Sequence, residues 1–232
     1  MESSTSEKPD IALDVYGTIV DTFAVEKHLE RLIGASAEAF VNLWRQKQLE
    51  YSFRRALMHS YEPFSTCTRE ALIYCSRALH VQLTAEAEGE LLEQYKRLPA
   101  YPDAKPALEK LRLKCRKLVA FSNGEQDVVT ELLATQGLLD SLDAVISVDA
   151  VRSFKPDPAV YRLLAMRLQH DPQDIWMVSS NPFDVIGAKH FGLQAAWVKR
   201  RAAAVFDPWN IEPDVIADDL LDFAGKIEPQ VC

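Results

Sequence analysis

A regular alternation of short apolar runs and helical segments after residue 102 constrains the fold of this chain most. The apolar runs lie at residues 117–121, 144–147, 175–178 and 195–198, and helical patterns lie at 108–113, 128–133, 158–168 and 183–191. Strands separated by single helices pair in parallel, with helices on both faces of the sheet. The sequence therefore predicts an α/β fold with a Rossmann-like parallel sheet.

A long helical segment separates this alternation from one earlier apolar run at residues 11–13. Between about residues 23 and 98, apolar side chains such as Phe40, Leu43 and Trp44 recur at helical spacing. We predict a core domain of residues 1–20 and 99–232, and a helical cap domain of residues 21–98 inserted after the first strand. Ligands of open α/β sheets bind at the carboxyl ends of the strands, so the functional residues are expected there.

Charge and composition argue against several classes of protein. The formal net charge of −8 disfavours nucleic acid as a partner, because phosphate binding needs clustered Lys and Arg. Residues 1–9 are polar and do not resemble a signal peptide, and no apolar run is long enough to span a membrane. The cysteines form no CxxC pair, which predicts free thiols and a cytoplasmic location. They are Cys67, Cys75, Cys115 and Cys232.

Polar side chains follow four of the predicted strands. These are Asp14, Thr18, Ser122, Asn123, Lys155, Ser179, Asn181 and Asp184. Taken alone, each has a common structural explanation: an Asp before a turn often caps it, and an Asp in the first turn of a helix is favoured by the helix dipole. Together, two carboxylates and a lysine from separate strand ends form a plausible catalytic group, in which the ammonium keeps both carboxylates ionised.

The strand-end residues stand in four segments, at 14–18, 122–124, 155–158 and 179–184. They read Asp-Val-Tyr-Gly-Thr, Ser-Asn-Gly, Lys-Pro-Asp-Pro and Ser-Ser-Asn-Pro-Phe-Asp. In this order they resemble the four motifs of the haloacid dehalogenase (HAD) superfamily. Residues 43–51, Leu-Trp-Arg-Gln-Lys-Gln-Leu-Glu-Tyr, closely resemble the cap helix of its L-2-haloacid dehalogenases (type II). The resemblance extends over residues 11–216 and implies the HAD-like fold.

Two residues bear on the main alternative, because most members of the superfamily are magnesium-dependent phosphatases. Tyr16 stands where phosphatases have a second Asp, which protonates the leaving group, and Ser179 stands where they have an acidic magnesium ligand. Magnesium prefers carboxylate ligands, so both departures favour dehalogenation. A phosphatase or phosphonatase stays the alternative enzyme. A binding protein that lost turnover is a third possibility, opposed by the joint presence of Asp14, Lys155 and Asp184.

The resemblance implies roles for the first step. Asp14 attacks the α-carbon of an L-2-haloacid and forms an aspartyl ester. Arg45 and Asn123 hold the departing halide, with Phe183 beside it in place of the Trp of many members. Ser122 and neighbouring backbone N–H groups bind the substrate carboxylate.

The resemblance also implies roles for the second step, which releases a D-2-hydroxy acid. Asp184 is the expected base for the water that attacks the ester, assisted by Lys155, Ser179 and Asn181. Thr18 is expected beside the nucleophile.

Four further positions complete the predicted site. Tyr16, Leu49 and Phe64 are expected to form an apolar wall, and Tyr161 is expected to support the site from behind. The resemblance implies no metal and no other cofactor, a small-molecule 2-haloacid as the substrate, and a homodimer.

Overall fold

Six parallel strands form one sheet at the centre of the molecule, in the order β3-β2-β1-β4-β5-β6. The computed structural model describes residues 8–227. The strands are β1 Asp10–Leu13, β2 Leu118–Ser122, β3 Ala144–Ser147, β4 Ile175–Ser179, β5 Gln194–Val198 and β6 Val215–Ala217. β1 is central, since Leu13 is paired with Ala120 of β2 and with Val178 of β4. The predicted α/β fold class is confirmed.

Nine α-helices occur within the described residues. The first four follow β1 and form the segment that we call the cap: α1 Glu26–Ile33, α2 Ala37–Leu57, α3 Phe64–Ala78 and α4 Ala85–Tyr95. The others belong to what we call the core: α5 Ala104–Arg112, α6 Gln126–Thr135, α7 Pro158–Leu168, α8 Pro182–Phe191 and α9 Leu220–Lys226. The short strand β6 and the helix α9 were not predicted from the sequence.

Burial explains why the central strands read as continuous apolar runs. All residues of β1 and β2 are buried, because helices cover both faces of the sheet. Gly192 caps the C-terminus of α8, and its φ of +105° is a conformation that glycine adopts without strain. The chain then enters β5 at Gln194, two residues further on.

The two connections between cap and core run side by side. Val20 and Ala100 form an antiparallel bridge. The buried guanidinium of Arg200 joins the two connections, since it donates to the backbone oxygen of Thr18 and, at 2.7 Å, to Oδ1 of Asp103. This pairing supports the predicted division into residues 1–20 with 99–232 and residues 21–98, which stays a prediction.

Three cysteines within the described residues, Cys67, Cys75 and Cys115, are buried free thiols, as predicted. Burial raises the pKa of the Cys75 thiol to about 12, which makes it a poor nucleophile. Cys232 and residues 1–7 lie outside the described part of the chain. Within residues 8–227, no helix has both the length and the apolar character needed to cross a bilayer.

Candidate active site

Asp14, Lys155 and Asp184 form a buried charge cluster at the carboxyl edge of the sheet. Asp14 follows β1, Lys155 lies between β3 and α7, and Asp184 is in the first turn of α8. The Lys155 ammonium lies 3.1 Å from Asp14 Oδ1, 2.9 Å from Asp184 Oδ2 and 2.8 Å from the backbone oxygen of Phe121. An ammonium has three donors, and all three are used. Lys155 is therefore held rigidly between the two carboxylates.

Neutral donors stabilise the second oxygen of the Asp14 carboxylate. Thr18 Oγ1 and Asn181 Nδ2 each donate to Asp14 Oδ2 at 2.8 Å. The Asp14 side chain is only 9% exposed, so these bonds act in a medium of low dielectric. The Asp14 carboxylate is therefore nearly dry, and its orientation is set by hydrogen bonds to both oxygens.

Asp184 is completely buried, and Tyr161 Oη donates to its Oδ1 at 2.9 Å. Burial raises the pKa of Asp184 above its ordinary value, and the Asp14 charge adds to this, while the Lys155 ammonium opposes it. A raised pKa makes the carboxylate a stronger proton acceptor than a surface Asp. Burial also raises the pKa of Tyr161, which keeps the phenol protonated as a donor.

Arg45 extends from the cap helix α2 to the core. Its Nη2 donates to the backbone oxygen of Tyr16 at 3.2 Å and lies 3.4 Å from Asn181 Oδ1, and its Nη1 donates to Gln48 Oε1 at 2.7 Å. The Asn181 amide therefore lies between Arg45 and Asp14, with its oxygen toward the guanidinium and its nitrogen toward the carboxylate. A positive charge from the cap stands close to the Asp14 carboxylate.

Three further predicted residues hold the strand-end loops. Ser122 Oγ and Ser179 Oγ each accept an N–H two residues further on, at 3.1 Å. Asn123 Oδ1 accepts the backbone N–H of Lys155 at 3.0 Å. Among the hydrogen bonds of residues 8–227, none is donated by the Asn123 amide nitrogen, so this group can donate to a ligand.

Aromatic side chains from cap and core meet beside the charge cluster. The Tyr16 ring lies 5.8 Å from the rings of both Phe64 and Tyr95, and all three line a cavity of about 400 Å³. Burial raises the pKa of Tyr16, so the phenol stays protonated near neutral pH and cannot replace a carboxylic acid. Leu49, one turn after Arg45 on α2, is half-buried.

Phe183 belongs to a second apolar surface. Its ring contacts Phe53 of α2, with centroids 5.0 Å apart, and both line a groove of about 680 Å³. Packing links Phe183 to the cap; the predicted contact with a halide stays a prediction.

Comparisons with known proteins identify the family of this chain. The family model for haloacid dehalogenase-like hydrolases matches residues 11–192. An (S)-2-haloacid dehalogenase of Xanthobacter autotrophicus is 44% identical over 190 residues, which cover 82% of this chain and 74% of the relative. The (S)-2-haloacid dehalogenase 4A of Burkholderia cepacia is 38% identical over 188 residues, 81% of each chain. The chain belongs to the haloacid dehalogenase-like hydrolases.

A solved structure supports the same family and fold. The L-2-haloacid dehalogenase of Xanthobacter autotrophicus, with chloropropionic acid covalently bound, superposes with a TM-score of 0.87 at 36% identity. The match covers 94% of this chain and 97% of that chain. The prediction that this hydrolase resembles the L-2-haloacid dehalogenases is confirmed.

The sequence analysis missed two residues of this dehalogenase-like site. Gln48 lies in the segment that resembles the family's cap helix, but no role was predicted for it. In the structure it is fully buried beside Arg45. Gly187 lies where a Cβ would come within 2.5 Å of Tyr161 Oη and 2.7 Å of Pro156 Cβ. The helical pattern gives no sign of either, because both depend on which residues pack from distant parts of the chain.

Gly187→Ala is expected to destabilise the hydrolase by about 1–3 kcal/mol, because its methyl group would overpack a full site. A helical Gly→Ala change usually stabilises by about 0.5–1 kcal/mol, so the expected sign is reversed. Gly89→Ala in α4 is the matched control, since its Cβ would meet no atom within 4 Å. Urea unfolding of both variants measures the difference. A stabilised Gly187→Ala protein would contradict the close approach of Tyr161.

Proposed function

We propose that this haloacid dehalogenase-like hydrolase converts short L-2-haloalkanoic acids into D-2-hydroxy acids through an ester on Asp14. One observation carries the proposal: the Asp14 carboxylate is buried and oriented by Lys155, Thr18 and Asn181, with the Arg45 guanidinium close by. A carboxylate nucleophile and a cation for the departing anion are what displacement of a halide requires. The covalently bound chloropropionic acid in the Xanthobacter autotrophicus enzyme supports this chemistry.

In the first step, an oxygen of Asp14 attacks the α-carbon of the substrate from the side opposite the halogen. The C–O bond forms as the carbon–halogen bond breaks, and the bonding pair leaves with the halide. The halide gains charge and is stabilised by Arg45 and by the Asn123 amide nitrogen, while Ser122 and nearby N–H groups hold the substrate carboxylate. Attack from the rear inverts the carbon.

In the second step, water attacks the carbonyl carbon of the Asp14 ester, and Asp184 accepts a proton from that water. The raised pKa of Asp184 suits it to this role. Lys155 contacts both carboxylates and stabilises the negative charge that develops on the carbonyl oxygen of the ester when water attacks. The acyl–oxygen bond of the ester then breaks, and the departing oxygen takes up a proton, so that the 2-hydroxy acid leaves with the oxygen that Asp14 gave in the first step. The oxygen of the water stays in the restored Asp14 carboxylate.

The donors around Asp14 support a reaction without a metal. Asp14 Oδ2 and the backbone oxygen of Tyr16, which could ligate a cation, already accept N–H groups of Asn181 and Arg45. A divalent cation at this position would have to displace these bonds and lie beside a guanidinium. Ser179 supplies no charge to compensate. The magnesium-dependent phosphatase alternative is accordingly less favoured.

Halide release from L- and D-2-chloropropionate in excess EDTA tests the proposal. Chloride is expected from the L-isomer alone, at a rate that EDTA does not change, with D-lactate as the organic product. Magnesium-dependent release of phosphate from p-nitrophenyl phosphate, with no chloride from either isomer, would replace the dehalogenase by a phosphatase. Chloride release that EDTA abolishes would disprove the metal-free mechanism alone.

We also propose that the enzyme works in the cytoplasm as a homodimer. The buried free thiols are consistent with a reducing compartment. Leu57, Met58 and Tyr74 on or next to cap helices are exposed and provide apolar surface for a second copy.

A further inference from the structure

A buried hydrogen-bond network in the cap holds the Arg45 side chain in place. Gln48, three residues after Arg45 on α2, is completely buried, and its Oε1 accepts from Arg45 Nη1 at 2.7 Å. The same oxygen accepts from Tyr95 Oη of α4 at 2.8 Å. Gln48 Nε2 donates to Thr68 Oγ1 of α3 at 2.6 Å, and Thr68 Oγ1 donates to the backbone oxygen of Phe64 at 2.9 Å. One side chain thus joins three cap helices to the guanidinium.

Each contact in this network is directional. Because Gln48 Oε1 receives donors from two sides, its amide cannot turn over without placing its NH₂ group against Arg45 and Tyr95. Paired groups in a buried network restrict one another, and loss of a partner leaves a buried polar group unpaired. The network therefore fixes the position of Gln48 Oε1, which accepts from Arg45.

Arg45 needs such support because its two contacts with the core are long. They measure 3.2 Å to the Tyr16 oxygen and 3.4 Å to Asn181 Oδ1, whereas the bond to Gln48 measures 2.7 Å. An arginine side chain has many rotamers, and a charge contributes most to catalysis when it is placed before the reaction begins. The contact that defines the guanidinium position is thus made inside the cap.

We propose that Gln48 is a positioning residue that presets Arg45 to receive the departing halide, with Tyr95 and Thr68 fixing its amide. The inference rests on the proposed dehalogenation and extends it to a residue whose side-chain hydrogen bonds all lie within the cap. Chloride leaves carbon less readily than bromide, so displacement of chloride depends more on a well-placed cation. Loss of the positioning contact is expected to penalise chloro substrates more than bromo substrates.

The test compares kcat/KM for L-2-bromopropionate and L-2-chloropropionate in the full-length enzyme. This parameter reports the steps up to halide departure, even where ester hydrolysis limits kcat. Gln48→Met removes the acceptor at similar volume and is expected to raise the bromide-to-chloride ratio by roughly tenfold, less than loss of a direct donor would cause. Thr68→Val keeps the Gln48–Arg45 contact but frees the amide, and a smaller rise is expected.

Ser76→Ala is the matched control. Ser76 is a buried polar residue of α3 that donates to the backbone oxygen of Leu72 and has no hydrogen bond to the network. It is expected to lose stability without a change in the ratio. An unchanged ratio in folded Gln48→Met, or an equal rise in Ser76→Ala, would overturn the inference. If Gln48→Met does not fold, Thr68→Val decides in the same way. A wild-type enzyme that releases no halide would instead refute the proposed function.

Discussion

Asp14→Asn is expected to lower halide release from L-2-chloropropionate by about 10³-fold or more, as is typical when a nucleophile is removed. An amide has nearly the same shape but carries no charge, so it is a far weaker nucleophile. It also introduces an NH₂ group that must face either the Lys155 ammonium or the donors of Thr18 and Asn181. Chloride release per folded molecule, with folding checked by circular dichroism, measures the effect.

Asp10→Asn is a matched control for this substitution. Asp10 is a fully buried aspartate at the opposite end of the same strand, paired with Arg116. Its replacement removes the charge of a buried carboxylate from an ion pair and is expected to reduce stability, while folded protein keeps its activity. Activity within tenfold of wild type in Asp14→Asn would mean that the nucleophile is another group.

Asp184→Asn is expected to slow turnover by about 10²- to 10⁴-fold, the usual contribution of a general base, while the first step proceeds. One equivalent of halide should appear in a burst, after which the esterified enzyme accumulates. Intact-protein mass spectrometry would then show an increase equal to the mass of the substrate acid minus hydrogen halide, and peptide mapping would place it on Asp14. Lys155 still balances the remaining charge of the cluster, so the fold is expected to persist.

Two other results for Asp184→Asn would each contradict the assigned role. Turnover at the wild-type rate would show that another group activates water. If neither a burst of halide nor turnover is observed, Asp184 acts before or during halide displacement. Wild-type enzyme under the same conditions should show no stable adduct.

The core strands could be predicted from the sequence because burial on both faces requires continuous apolar runs. The runs at 117–121, 144–147, 175–178 and 195–198 correspond to β2 to β5 within one residue at each end. β6 was missed because it is a three-residue edge strand with one exposed and one half-buried residue, so its pattern is weak. The apolar spacing at 40–51 located α2, but the helix extends to Ala37 and Leu57 beyond that pattern.

The candidate site divides in the same way. The strand-end groups Asp14, Lys155 and Asp184 could be expected together, because the carboxyl ends of parallel strands meet at one edge. Arg45 was predicted only by resemblance, since a helical arginine has no positional signal for contact with a strand end. Gln48 and Tyr95 could not be predicted, because their burial depends on how α2, α3 and α4 pack against one another.

The bridge between Val20 and Ala100 has a consequence for how such a protein can change over time. The cap leaves the core and re-enters it at neighbouring points, so its insertion does not separate the sheet strands on either side. Domain insertion is tolerated where the two ends of the inserted segment lie close together. The core, with Asp14, Lys155 and Asp184, can therefore stay constant while the cap, which supplies Arg45, is lengthened, remodelled or exchanged. The contribution of the cap to leaving-group selectivity can therefore evolve separately from the nucleophile.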